Sequence, residues 1–315
     1  MRAVLTGGTG FVGGAVADAL RARGDEVLAL VREEGRGERL RAMGCELVTG
    51  ELPGLNLARA LDGADALFHV GGQYRVGVTA RERPAMRRAN VEATGAALEA
   101  AAHAGVRRVV YVSTVGIFGD TGGRVVDEAY LRPAGPYLSY YDETKHVAHE
   151  LARDAIRRGV PVMIAQPSQV YGPGDHSEIG GMLRQAADGT LRARVLPRAG
   201  VCLVHVEDLA DGILRVHDAG RIGESYVLAG ECIRLGELAD RVARIAGRRP
   251  PRLSVPTALL RAMAPVLDLL ARTNLRETVR TGDGVTFWAS SEKARRELGW
   301  TQRPLDDGLR GLYGR

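Results

Sequence analysis

The stretch up to Gly13 constrains the fold most. Ala3-Val-Leu-Thr6 reads as a buried strand, Gly7-Gly-Thr-Gly10-Phe-Val-Gly13 as a turn, and residues 15–23 as a helix. Three of its four glycines serve different ends. Gly7 permits the tight turn, Gly10 lets a pyrophosphate approach the backbone, and Gly13 lets the helix pack closely on the strand. Thr9, Phe11 and Val12 complete the turn, where free amides at the helix start face the phosphates. With residues 27–31 as the next strand, this context meets the test for a dinucleotide-binding fingerprint.

A second constraint comes from lysine usage. Of the 43 basic residues only Lys145 and Lys293 are lysines, and Lys145 stands four places after Tyr141. That spacing puts both side chains on one helix face, where an ammonium is expected to draw a phenol down from about 10 toward neutrality. A tyrosine so tuned can give or take a proton. A compact ammonium suits such a site better than a planar guanidinium fork, because it can reach both a phenol and a sugar hydroxyl.

Strands near 2–6, 26–31, 45–49, 65–70, 107–113 and 160–166 alternate with helices near 11–23, 36–43, 55–62, 81–105 and 139–159. Such alternation predicts an α/β fold, a Rossmann-type doubly wound parallel sheet. After Pro167 the rhythm changes, with glycine and proline frequent through 171–175, a basic strand-like piece near 192–204, and helices near 207–218, 235–247, 257–271 and 291–298. We expect a dinucleotide-binding domain of 1–170 with 201–233, and a smaller carboxy-terminal substrate domain of 171–200 with 234–315. Although the net charge is +5, 38 acidic residues offset the basic ones, no dense basic run appears and aromatics make up 5%, so nucleic acid is not an expected partner. Cys45, Cys202 and Cys232 are widely spaced and odd in number, which argues against a disulfide framework and fits a cytoplasmic protein. His146, His149 and Glu150 have helical spacing but no distant third ligand, so no metal is expected. Residues 255–270 are apolar but interrupted by Arg261, Pro265 and Asp268. They read as an amphipathic helix too short to span a bilayer, with membrane or partner docking a secondary reading; no membrane partner is expected.

With these motifs placed, the chain resembles the extended short-chain dehydrogenase/reductase family, in its NAD-dependent epimerase/dehydratase branch, close to the dihydroflavonol-reductase-like members. Residues carrying the likeness are the three glycines, Val110–Gly119, Tyr141 and Lys145, Pro167–Pro173, Val204–Leu209 and Ser291–Trp300. The resemblance implies that Tyr141 is the general acid or base, that Lys145 holds the nicotinamide ribose, and that Thr114 (with Ser113 as rival) hydrogen-bonds the reacting oxygen. It also implies cofactor contacts from Val70, Gly71 and Gly72, from Asn90 as a brace, from Glu51 and Leu52 at the adenine, and from Pro167 and Ser168 near the nicotinamide. Glu51 departs from the usual aspartate. Asp142 and Glu143 are expected to face solvent.

An NAD enzyme usually ends its second strand on an acid for the ribose 2′-hydroxyl. Here Arg32 stands there, with Arg36 and Arg39 nearby, which favours NADP over NAD because a guanidinium pairs with a 2′-phosphate. The expected function is therefore an NADP-preferring oxidoreductase interconverting a carbonyl and an alcohol on a small organic substrate. The alternative is an NAD-dependent nucleotide-sugar epimerase, for which Arg280 matches one diphosphate anchor while Val201 lacks the other. Helices near 81–105 and 139–159 resemble those through which family members form a homodimer.

Overall fold

The computed structural model describes residues 1–52, 54, 56–271 and 274–314. The first half runs β1 (Arg2–Thr6), α1 (Phe11–Ala22), β2 (Glu26–Val31), α2 (Glu38–Ala42), β3 (Glu46–Thr49), α3 (Asn56–Leu61) and β4 (Ala66–His69). It continues with α4 (Arg83–Arg87), α5 (Ala93–His103), β5 (Arg108–Val112), α6 (Tyr140–Arg157) and β6 (Val162–Pro167). Then come β7 (Gln169–Tyr171), α7 (Glu178–Asp188), β8 (Ala193–Arg194), β9 (Gly200–His205), α8 (Val206–Ala219), β10 (Ser225–Leu228) and β11 (Glu231–Arg234). The chain closes with α9 (Leu235–Ile245), β12 (Leu253–Ser254), α10 (Thr257–Ala271), α11 (Leu275–Gly282), α12 (Glu292–Leu298) and α13 (Leu305–Tyr313).

Seven strands form one sheet in the order β10-β6-β5-β4-β1-β2-β3, every neighbouring pair parallel. Its strands are apolar almost throughout because helices cover both faces. Alternate residues serve the two sides. Ala3 and Leu5 join Val16, Leu20 and Ile213 in one core cluster, while Val4 faces Leu57, Leu98 and Ala152 in the other. The strand order reverses between β1 and β4, which opens a crevice at their carboxyl ends, the usual ligand position in such sheets.

The second half adds a three-stranded sheet, β11-β9-β7, and a pair, β12-β8. Residues 292–300, expected in the smaller unit, pack under the large sheet: Ala294, Leu298 and Trp300 belong to the α1–α8 core, and the Trp300 indole donates to the Asp208 carbonyl at 2.8 Å. Cysteine pairing also departs from expectation. Antiparallel β9 and β11 set Cys202 opposite Cys232, and a disulfide joins them, leaving only Cys45 free. The partners lie 30 residues apart on strands the sequence did not announce as neighbours.

Candidate active site

At the crevice floor the glycine turn is held by close backbone packing. Gly7 has φ of +77°, and a Cβ there would lie 2.5 Å from the Cα of Gly71; one on Gly13 would lie 2.1 Å from the Gly7 carbonyl oxygen. Gly10 caps α1 without any side-chain hydrogen bond, and the first turn of α1 carries no acid. Its amides therefore remain available to an anion, and the turn fits a dinucleotide pyrophosphate. Below the turn, His69 bridges the Thr6 hydroxyl at 2.7 Å and the Thr94 hydroxyl at 3.1 Å. Burial pushes His69 down to about 3, so it acts as a neutral strut.

Tyr141 and Lys145 both project from α6, whose start is fixed by Ser139: its hydroxyl accepts from the Asp142 amide at 3.0 Å. Lys145 is buried and donates to the Val112 carbonyl at 3.0 Å, with its ammonium 5.0 Å from the centre of the Tyr111 ring. A Cβ on Gly72 would lie 4.0 Å from that ammonium and 3.3 Å from the Asn90 side-chain oxygen Oδ1, so the loop after β4 and α6 face one another across the site. Asn90 ties them together. Its side chain accepts from the Gln73 amide at 2.6 Å and donates to the Gln73 carbonyl and to the Thr144 hydroxyl at 2.9 Å.

The Tyr141 ring meets Tyr74 edge-on at 4.9 Å. Its phenol is not drawn toward neutrality, as the spacing from Lys145 suggested. Burial raises it above its ordinary value, Tyr74 and Asp142 add to the rise, and the Thr114 hydroxyl beside it pulls the other way. Lys145, aimed at Val112 and brought down to about 8 by burial, does not offset this. Of the two candidate hydroxyls, Ser113 turns inward to His149 at 3.0 Å, whereas Thr114 stands by Tyr141 and accepts from the Gly116 amide.

Asp142 overturns another expectation. It is 6% exposed rather than solvated, it accepts from the Ser139 hydroxyl at 2.7 Å, and burial raises its carboxyl to about 6. Sequence reasoning also missed Glu277. This buried carboxylate of α11 accepts from the Tyr140 amide at 2.7 Å and from the Asn274 side chain at 2.6 Å, so a distant segment caps the helix that carries Tyr141. Arg280, one turn further along, donates through Nε to the Leu138 carbonyl at 2.8 Å.

The remaining expected positions lie along the same edge of the sheet. The Val70 amide donates to the Thr6 carbonyl at 3.2 Å. Pro167 ends β6, and the buried Ser168 hydroxyl after it has no hydrogen-bond partner among the described residues. Beyond β3, Glu51 is exposed and Leu52 packs against the core beneath it. Arg32 is exposed at the end of β2 and has no ion pair among the described residues; Arg36 lies 3.5 Å from Glu33, and the Arg39 guanidinium approaches Gly14 of α1.

Comparison with known proteins agrees with this architecture. The NAD dependent epimerase/dehydratase family model matches residues 3–229. The chain is 31% identical to the putative dihydroflavonol 4-reductase of Synechocystis over 97% of this chain and 91% of that protein. The crystal structure of gox2253 superposes with a TM-score of 0.83 at 35% identity, covering 98% of this chain and 95% of the other. MoeE5, solved with UDP-glucose and NAD, gives 0.79 at 25% identity, covering 98% and 96%. The chain belongs to the NAD-dependent epimerase/dehydratase family. It is an NAD(P)-dependent oxidoreductase of the extended short-chain dehydrogenase/reductase type.

Proposed function

We propose that this protein is an NADP-preferring oxidoreductase that interconverts a carbonyl and an alcohol on a small organic substrate. The observation that carries the reading is the pairing of a protonated Tyr141 phenol with the Thr114 hydroxyl, across from the Gly72 loop and Lys145. A bound nicotinamide supplies the hydride. The residues of the chain must then manage the charge that develops on the carbonyl oxygen. Thr114 donates a hydrogen bond to that oxygen, and Tyr141 gives it a proton, becoming a phenolate; in the reverse direction that phenolate takes the proton back from the alcohol. A phenol held above its ordinary value remains a proton donor at neutral pH. Lys145 orients the ribose and carries positive charge beside the site, while Glu51 and Leu52 meet the adenine.

On this reading residues 1–170 with 201–233 carry the cofactor and 171–200 with 234–315 build the substrate side, except that α12 and Trp300 buttress the large sheet. The neighbouring helices α5 and α6 are where we place a homodimer contact.

The NADP preference rests on Arg32, exposed and free to pair with a 2′-phosphate. Charge-assisted bonds contribute about 1.5–3 kcal/mol. Arg32→Ala is therefore expected to weaken NADPH binding by one to two orders of magnitude on that scale while leaving NADH nearly unchanged. Equal losses in fluorescence titrations of the two cofactors would place the discrimination elsewhere.

A nucleotide-sugar epimerase is the second reading, favoured by the position of Arg280 and by MoeE5 having been solved with UDP-glucose. Under the first reading UDP binds no better than about millimolar, near 4 kcal/mol, and Arg280→Ala changes little. Calorimetry showing micromolar UDP affinity that disappears in Arg280→Ala would favour the epimerase.

A further inference from the structure

Helix α10 carries an unusual outward face. Leu260, Ala264 and Asp268 turn inward and are half-buried or buried, as expected for a helix packed on α11. Leu259, Met263 and Val266 are 50%, 42% and 58% exposed, at the i, i+4, i+7 spacing of a single stripe. Ala258, Ala262 and Pro265 are exposed around them. The charged side chain among these outward positions is Arg261, and it pairs with Asp283. Single exposed apolar residues are ordinary, but a contiguous stripe marks a contact surface.

Charge in the segment leading into this helix points to what the surface meets. From Arg241 to Leu267 the sequence holds six arginines, at 241, 244, 248, 249, 252 and 261, and no acidic residue. Arg241 is engaged by Glu231, Glu237 and Asp306. Arg244, Arg248, Arg249 and Arg252 are exposed and have no ion pair among the described residues. Leu253, beside Arg252, is 67% exposed. A second copy of the chain meeting this surface face to face would bring the same arginines against them and be repelled. An anionic lipid surface offers what both features need: an acyl boundary for the apolar stripe and headgroup phosphates for the guanidinium groups.

We propose that α10 docks flat on an anionic lipid surface, with Leu259, Met263 and Val266 entering the acyl boundary and Arg248, Arg249 and Arg252 at the headgroups. This departs from the sequence expectation of no membrane partner, and it requires no spanning helix. Among the described residues, none is long and apolar enough to cross a membrane. Docking also sets a cleft of about 320 Å³ beside the lipid, walled by Arg261, Ala264, Arg276, Val279, Arg280 and Asp283 between α10 and α11.

The test is co-sedimentation of the full chain with vesicles of phosphatidylcholine, alone or mixed with equal phosphatidylglycerol, a measurement that does not depend on turnover. Wild type is expected to pellet with the mixed vesicles and to bind phosphatidylcholine alone at least about tenfold more weakly. The Leu259→Glu/Met263→Glu variant should remain in the supernatant with an unchanged melting temperature. Arg248→Gln/Arg249→Gln/Arg252→Gln should lose the preference for the anionic lipid and its salt sensitivity. Wild type left in the supernatant with mixed vesicles, or pelleting that survives the double glutamate variant, would overturn the proposal. So would a wild-type oligomer that does not bind vesicles and that Leu259→Glu/Met263→Glu splits in size-exclusion chromatography, since a second copy would then cover the helix.

Discussion

Tyr141→Phe is expected to keep the fold and cofactor affinity while turnover falls by roughly 10²–10⁴, the range for losing a positioned general acid–base group. The substitution removes one oxygen and leaves the ring, so the edge-on contact with Tyr74 at 4.9 Å persists. Lys145 is anchored on the Val112 carbonyl rather than on the phenol, and stays in place when the hydroxyl goes. Cofactor titration followed by steady-state kinetics separates the two effects. Near-normal turnover in this variant would remove Tyr141 from the mechanism.

The second large effect is expected at Gly13, for steric reasons. A Cβ there would sit 2.1 Å from the Gly7 carbonyl oxygen and 3.0 Å from the Gly8 Cα, both backbone atoms that cannot rotate away. Gly13→Ala must therefore push α1 off the turn. Overpacking of this kind costs about 1–3 kcal/mol of folding stability. The same shift would move the amides at the start of α1 away from the place proposed for the pyrophosphate, so cofactor affinity should fall as well, by roughly tenfold for each 1.4 kcal/mol lost. Urea unfolding with and without cofactor measures both. A variant with wild-type stability and affinity would mean that the helix does not need its close approach to the turn.

These positions show how far the sequence could be read. The glycine turn, the strand alternation and the Tyr141–Lys145 spacing are local signals, and they announced the parallel sheet and the helix carrying the candidate pair. What escaped depends on contacts between distant segments. Glu277 reaches the Tyr140 amide across 137 residues, and Cys202 meets Cys232 only because β9 and β11 pair in one register. Asp142 looked solvated because its neighbours on the helix are polar. Burial between Ser139, Gly116 and Glu277 is a tertiary property that helical periodicity does not encode. The direction of the Tyr141 shift was misread for the same reason: spacing placed the ammonium on the correct face but did not show that it points to Val112.

Net hydride transfer between a nicotinamide cofactor and a carbonyl is the step on which the proposed function stands or falls. The absorbance of NADPH, followed while the wild-type protein is incubated with a panel of ketones and aldehydes, reads that step without an intermediary. Stoichiometric loss of NADPH is expected with at least one carbonyl, and no comparable loss with Tyr141→Phe. NADPH that stays intact across the panel, while a nucleotide sugar is interconverted with no net cofactor consumed, would contradict it.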